Sequence, residues 1–213
     1  EYRFRRKLAG GALKNIPIIV VTGAIASGKS TVAKILAGEG GALINADQLA
    51  HKALETDDVI DSVRMEFGDR VITDAGTISR GALGSIVLKD REKMEKLNRI
   101  VAPAVTGIVT RAVEEAAEDA DYIVLDAVLF FKYTFHFRED LVIAAEASEE
   151  TRIDRLMQRD GLSREEAESR VKAQRYLYPG WEKCDIRIDT DRDLSELEAE
   201  AADMRNRILG GLI

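Results

Sequence analysis

The stretch VVTGAIASGKSTVAKIL, residues 20–36, decides the fold. It opens on β-branched residues that read as the end of a buried strand. It then passes through a loop bounded by Gly23 and Gly28 and enters a segment with Val32, Ala33, Ile35 and Leu36 on one helical face. Gly23, four residues, then Gly28-Lys29-Ser30 fits G-x-x-x-x-G-K-[ST] without a mismatch, with the required strand before and helix after. Glycines let the backbone curl so that N–H groups point inward, and the helix N-terminus adds partial positive charge. Gly23, Ala26, Ser27, Gly28, Lys29, Ser30 and Thr31 are therefore expected to cradle a nucleoside triphosphate. Lys29 would reach the β- and γ-phosphates, and the Ser30 hydroxyl would ligate Mg²⁺. A dinucleotide fingerprint is excluded, because Ile25 stands where G-x-G-x-x-G needs its second glycine.

Outward from this loop, strands alternate with helices. PIIVVT, GALINAD, DYIVLDAVLF, EDLVIAAEA and CDIRID read as five strands. Their alternation with helices predicts a mainly parallel sheet covered on both faces. The block between the second and third strands is too long for a simple crossover and is expected to be a helical insertion over about residues 55–119, kinked or split at Pro103. Thr56, Ser148 and the Ser163/Glu166 capping box mark helix starts, and Gly68 a stop. Residues 1–15 read as a mobile basic tail, and residues 16–213 as one domain.

Composition narrows the partners. The 213-residue chain has 31 basic and 38 acidic residues, a formal net charge of −7, which argues against a nucleic-acid-binding surface. One cysteine, Cys184, excludes an internal disulfide framework and fits a reducing compartment, so a cytoplasmic location is expected. No apolar run approaches the ~20 residues of a membrane span, and no secretory signal is recognisable. Oligomeric state is not legible. His51 and His136 lack metal-ligand spacing, and Cys184 reads as a small apolar group rather than a nucleophile. Tyr176, Tyr178 and Trp181 read as packing, with base stacking as the alternative.

Two aspartates carry open readings. Asp47, at the expected end of the second strand, suits either activation of an acceptor hydroxyl or a helix cap. Asp126, at the end of the third strand, suits either a metal carboxylate or a turn. Arg152, Arg155, Arg159, Arg164 and Arg170 crowd two helices joined by DGLS. Most would pair with nearby acids at helical spacing. The functional reading is a lid, about residues 152–176, that brings one or two arginines onto a transferring phosphoryl group.

The combination resembles the dephospho-coenzyme A kinase family over nearly the whole chain. TGAIASGKSTVA resembles its phosphate loop, LINADQLAHKAL its second strand-to-helix segment, and FGDRVITDAGTISRGALGSIVLKDREKMEKLNRIVAPAV its substrate-side helices. ASEETRIDRLMQRDGLSREEAESRVKAQ is similar to its lid, and CDIRIDT to the strand before its adenine-contacting turn. The resemblance implies an α/β, P-loop kinase-type three-layer sandwich with an inserted helical substrate domain and a helical lid. It implies ATP and Mg²⁺ as cofactors and dephospho-coenzyme A as the acceptor, phosphorylated on its ribose 3′-hydroxyl. It assigns the acceptor-activating role to Asp47 and points to Arg155, Arg159 and Arg170 as lid-side basic residues, with Lys29 and Arg159 expected to join Asp47 in catalysis and Arg155 to bind the nucleotide. The alternatives are a kinase for another small nucleotide or hydroxyl metabolite, or a nucleotide-gated binding protein. The chain differs from the family's usual pattern at Ala26 (glycine), Asn45 (aspartate), Ala102 (histidine) and Thr190 (asparagine), and across Val128–Lys132, where a Pro-Leu-Leu-x-Glu run is usual. Ala26 is expected to fit only with a negative φ.

Overall fold

Five apolar runs form one wholly parallel sheet in the order β2-β3-β1-β4-β5. The strands are β1 (Ile18–Gly23), β2 (Gly41–Asn45), β3 (Tyr122–Asp126), β4 (Leu141–Glu146) and β5 (Ile186–Asp189). The computed structural model describes residues 16–174 and 181–212. The basic segment 1–15, Tyr176, Tyr178 and the end of the expected lid lie outside the described residues. The chain divides into two compact units, one running to Asn45 and resuming at Ala112, the other Ala46–Arg111. No helix among the described residues is long and apolar enough to cross a membrane.

In the first unit, β1 and β3 are buried at every position, as central parallel strands covered on both faces must be. The edge strand β5 instead alternates buried and exposed residues. One face of the sheet carries Ile19, Val21, Tyr122, Val124, Leu141, Ile143, Ile186 and Ile188, all at the two-residue period of a strand. Against it lie α1 (Lys29–Ala37), through Val32, Ala33 and Leu36, and α8 (Leu194–Leu212), through Leu197, Ala201, Met204 and Ile208. The remaining helices of this unit are α6 (Glu149–Asp160) and α7 (Arg164–Gln174). Ser148 caps α6, Gly161 ends it in the left-handed region, and Ser163 and Glu166 bond reciprocally ahead of α7.

The second unit holds α2 (Ala46–Ala53), α3 (Asp57–Phe67), α4 (Arg80–Val87) and most of α5 (Arg91–Ala116). Val59, Val63 and Phe67 are buried on one face of α3. Arg80 pairs with Glu55 at 3.1 Å and Lys96 with Glu66 at 2.8 Å. Thr56 is the N-cap of α3, but its hydroxyl bonds back to the Ala53 carbonyl rather than to the helix it precedes. Pro103 does not split α5, which is one helix of 26 residues. The proline ring is exposed, while Val101, Val105, Val109 and Val113 bury the opposite stripe at four-residue spacing. That burial outweighs the ~3 kcal/mol a mid-helix proline costs.

The far end of α1 is tied down by side chains from elsewhere in the sheet and from α8. The Tyr122 hydroxyl lies 3.0 Å from the Leu36 carbonyl and 2.6 Å from that of Ala37, and Arg205 reaches the Ile35 carbonyl at 3.4 Å. These satisfy C-terminal carbonyls that have no partner within the helix. Burial pushes the Tyr122 phenol above its ordinary pKa, so it remains a protonated donor. Gly41 leaves room for the tyrosine ring, since a Cβ there would lie 2.4 Å from a ring carbon. Tyr122→Phe should lower stability by about 1–2 kcal/mol in urea unfolding. Arg205→Met, which removes only the longer contact, should cost less.

Candidate active site

The phosphate loop is the connection from Gly23, at the end of β1, to Lys29, at the start of α1. Gly23 is required sterically, because a Cβ there would lie 2.4 Å from the Ser27 hydroxyl and 2.5 Å from the Ala145 carbonyl. The Ser27 N–H bonds the Ala24 carbonyl at 3.0 Å, which folds the loop on itself. Gly28 then enters α1 at φ 81°, and no side chain caps the helix. The first N–H groups of α1 are thus left for an anion.

Ala26 corrects an expectation. Its φ is 59°, the only positive value outside glycine among the described residues. The left-handed conformation is held from outside, because Arg155 Nη1 donates to the Ala26 carbonyl at 3.2 Å and the Ala26 side chain packs on the α6–α7 core.

Asp126 is the convergence point. It ends β3, in register with Asn45 of β2 and Val21 of β1, and is 1% exposed. Lys29 Nζ donates to its Oδ1 at 2.6 Å, Ser30 Oγ to its Oδ2 at 2.6 Å, and Asn45 Nδ2 to Oδ2 at 3.2 Å. Of its two sequence readings the turn falls away, since Asp126 is a strand residue facing the loop's lysine and hydroxyl. Burying a carboxylate is costly unless it is paired and hydrogen-bonded, and Lys29 supplies the opposite charge. Ser30 and Asp126 also offer a hydroxyl and a carboxylate side by side. That donor set suits Mg²⁺, which takes one or two carboxylates and completes its shell with phosphate oxygens and water. No group of three or more His, Cys, Asp or Glu side chains able to hold a metal ion occurs among the described residues.

The outer rim of the loop is gripped by the helical hairpin. Ile25 and Ala26 pack against Ile153, Leu156, Ala167 and Val171. The Ile25 N–H donates to Gln174 Oε1 at 2.8 Å. Arg155 also donates to Thr190, at 3.1 Å to the hydroxyl and 2.5 Å to the carbonyl. The other arginines face elsewhere. Arg159 lies on its neighbour Asp160, which also takes Arg170 at 3.2 Å, and these bonds hold the Asp160 carboxyl below its usual range. Arg164 joins Glu150 and Glu168. Arg152 is buried, with Glu149 3.9 Å away.

Asp47 is the second residue of α2 rather than the end of a strand, because β2 stops at Asn45. An acid in a first helical turn is favoured by the backbone dipole. Thr31 lies in the first turn of α1, half-buried. His51 and His136 are exposed. Burial pushes the Cys184 thiol up to about 11, so it is poorly reactive at neutral pH. Sequence reasoning passed over Thr190 and Gln174 as loop partners, since a lone threonine and glutamine more than 140 residues downstream carry no local signal.

The family model described as dephospho-CoA kinase matches residues 17–196. This chain belongs to the dephospho-CoA kinase family. A dephospho-CoA kinase of Carboxydothermus hydrogenoformans is 39% identical over 180 residues, covering 82% of this chain and 85% of the relative. Among solved structures, a Thermus thermophilus protein aligns with a TM-score of 0.72 at 29% identity, over 94% of this chain and all of that one. Dephospho-CoA kinase from Campylobacter jejuni aligns with a TM-score of 0.56 at 25% identity, over 90% and 96% of the two chains. The positions that depart from the usual dephospho-CoA kinase pattern fall into two groups. Asn45 and Thr190 touch Asp126 and the phosphate loop directly. The Val128 carbonyl accepts from Thr22 at 3.3 Å, Lys132 is exposed in a 3₁₀ turn beyond β3, and Ala102 is half-buried in α5.

The left-handed Ala26 yields a paired expectation. Ala26→Val should destabilise by about 1–2 kcal/mol, because a β-branched side chain is strained there. Ala26→Gly should be near neutral. Relief of roughly 1–2 kcal/mol of backbone strain is offset by a lost methyl contact of about 0.8 kcal/mol and a more flexible unfolded chain. Urea midpoints of the two variants check this.

Proposed function

We propose that the chain phosphorylates the ribose 3′-hydroxyl of dephospho-coenzyme A with ATP, giving coenzyme A and ADP. The observation that carries this is the convergence of Lys29 and Ser30 on Asp126 beneath a phosphate loop, in a chain of this family. The acceptor oxygen attacks the γ-phosphorus, the bond to the β-phosphate oxygen breaks, and the hydroxyl proton leaves to a base. Catalysis of such a transfer is mostly positioning and charge stabilisation.

Each residue then has a task. The N–H groups of the loop and of the first turn of α1 bind the β-phosphate end of ATP. Lys29 exchanges part of its contact with Asp126 for the γ-phosphate. Ser30 and Asp126 would hold Mg²⁺, which supplies charge neutralisation between the β- and γ-phosphates when bound. Asp47 takes the acceptor proton. Arg159 exchanges Asp160 for the transferring phosphoryl group as the hairpin closes further. A cytoplasmic setting, consistent with the single cysteine, belongs to the same proposal.

Lys29→Met should abolish turnover. It should also lower stability by about 3 kcal/mol, because it leaves Asp126 buried without its counter-charge. Adding Asp126→Asn should restore stability and leave turnover absent. Recovery of turnover in the double variant would refute the assignment of Lys29 to the phosphates.

Asp47→Asn should keep ATP affinity while lowering kcat by about 10²–10⁴-fold, the usual contribution of a general base. The assay is coupled ADP release across a panel of hydroxyl acceptors, with the product's phosphate located by mass spectrometry. Unchanged kcat with lowered thermal stability would reduce Asp47 to a helix-end charge. ADP release with another acceptor and none with dephospho-coenzyme A would overturn the substrate.

A further inference from the structure

Thr190 is the first residue beyond β5 and is completely buried, yet its hydroxyl points at the phosphate loop. Oγ1 lies 2.7 Å from the Ser27 carbonyl and 3.0 Å from that of Glu146. The Glu146 carbonyl already accepts the Thr190 N–H at 2.8 Å, so the single hydroxyl proton is best used on Ser27. Oγ1 in turn accepts from Arg155 Nη1, which also donates to the Ala26 carbonyl. The missing side chain of Gly28 completes the fit, since a Cβ there would sit 3.2–3.4 Å from the Thr190 hydroxyl, Cβ and methyl. One buried side chain thus addresses three successive loop residues, directly at Ser27 and Gly28 and through Arg155 at Ala26.

The consequence follows from the planar trans peptide. Within one peptide unit the C=O and N–H point in opposite directions. Drawing the Ser27 carbonyl back onto Thr190 turns the Gly28 N–H the other way, away from Thr190. Gly28 stands at the head of α1, where uncapped N–H groups gather. We propose that Thr190 is a positioning residue for phosphate binding: it fixes the Ser27–Gly28 peptide so that the Gly28 N–H is presented to the polyphosphate, without touching the nucleotide itself. The proposal rests on the ATP reading of the loop and adds a residue from the far edge strand to it.

A positioning role predicts a loss that follows the phosphates and ignores the base. Thr190→Val keeps the shape and removes the hydroxyl. It should weaken ATP, ADP and inorganic tripolyphosphate by a common factor of about ten, as expected for one lost hydrogen bond, with the ATP-to-GTP affinity ratio unchanged. Thr190→Ser, which keeps the hydroxyl, should bind all three within twofold of the unaltered protein. Isothermal titration calorimetry measures each affinity, and thermal unfolding is followed in parallel. A lowered Tm with unchanged tripolyphosphate affinity would make Thr190 merely structural. A loss confined to ATP and ADP that spared tripolyphosphate, with a shifted ATP-to-GTP ratio, would make it a base contact. Either overturns the proposal. Should Thr190→Val not fold, Thr190→Ala against Thr190→Ser carries the same comparison. If the unaltered protein bound neither ATP nor tripolyphosphate, the nucleotide reading itself would fall and this inference with it.

Discussion

The site depends on pairing one carboxylate with a lysine where water barely reaches. Asp126 is 1% exposed, and it draws together Lys29 and Ser30 from the head of α1 and Asn45 from the end of β2. A carboxylate buried there without partners would be costly, and a lysine, a hydroxyl and an amide all donate to this one. Lys29 therefore pairs with Asp126 within the fold, and in the proposed reaction it would also meet the phosphates. In the proposed reaction an arriving polyphosphate would offer the lysine new negative charge in place of part of this contact.

A second constraint acts on the opposite side of the loop. Apolar residues at positions 25 and 26 make the rim of the loop part of the hairpin core. Gln174 and Arg155 add hydrogen bonds from α7 and α6. The hairpin is therefore anchored on the phosphate loop itself. Arg159 rests on a carboxylate one residue away, so the proposed contact with a phosphoryl group would require it to leave Asp160. Ala26 shows the effect of this anchoring, because its left-handed backbone is tolerated where the surroundings over-determine it.

Two of the departures from the usual family pattern are local exchanges of hydrogen-bonding chemistry. Asn45 donates to Asp126 through an uncharged amide, which a carboxylate at that position has no proton to do. Thr190 still reaches the loop carbonyls with a shorter side chain, assisted by Arg155. In this chain both residues are hydrogen-bonded within the site.

Much was decided by the sequence alone. The phosphate loop, the alternation of strands and helices, the helix stop at Gly68 and the capping box at Ser163 and Glu166 are short-range features, written in spacing, propensity and cap chemistry. The position of Asp126 at a strand end was legible, but its role was not, because Lys29 and Ser30 lie almost a hundred residues upstream and meet it only through parallel pairing of β1 with β3. Pro103 read as a break and is tolerated, because burial of the valine stripe across the helix outweighs a local penalty. Ala26 read as incompatible with positive φ, because a residue's intrinsic preference ignores what holds it from outside. Thr190 and Gln174 had no sequence signature as loop partners, and the tertiary structure alone brings them there. The division is physical. Periodicity and caps act within a few residues, whereas the pairing of buried polar groups is settled only when the sheet order places distant strand ends side by side.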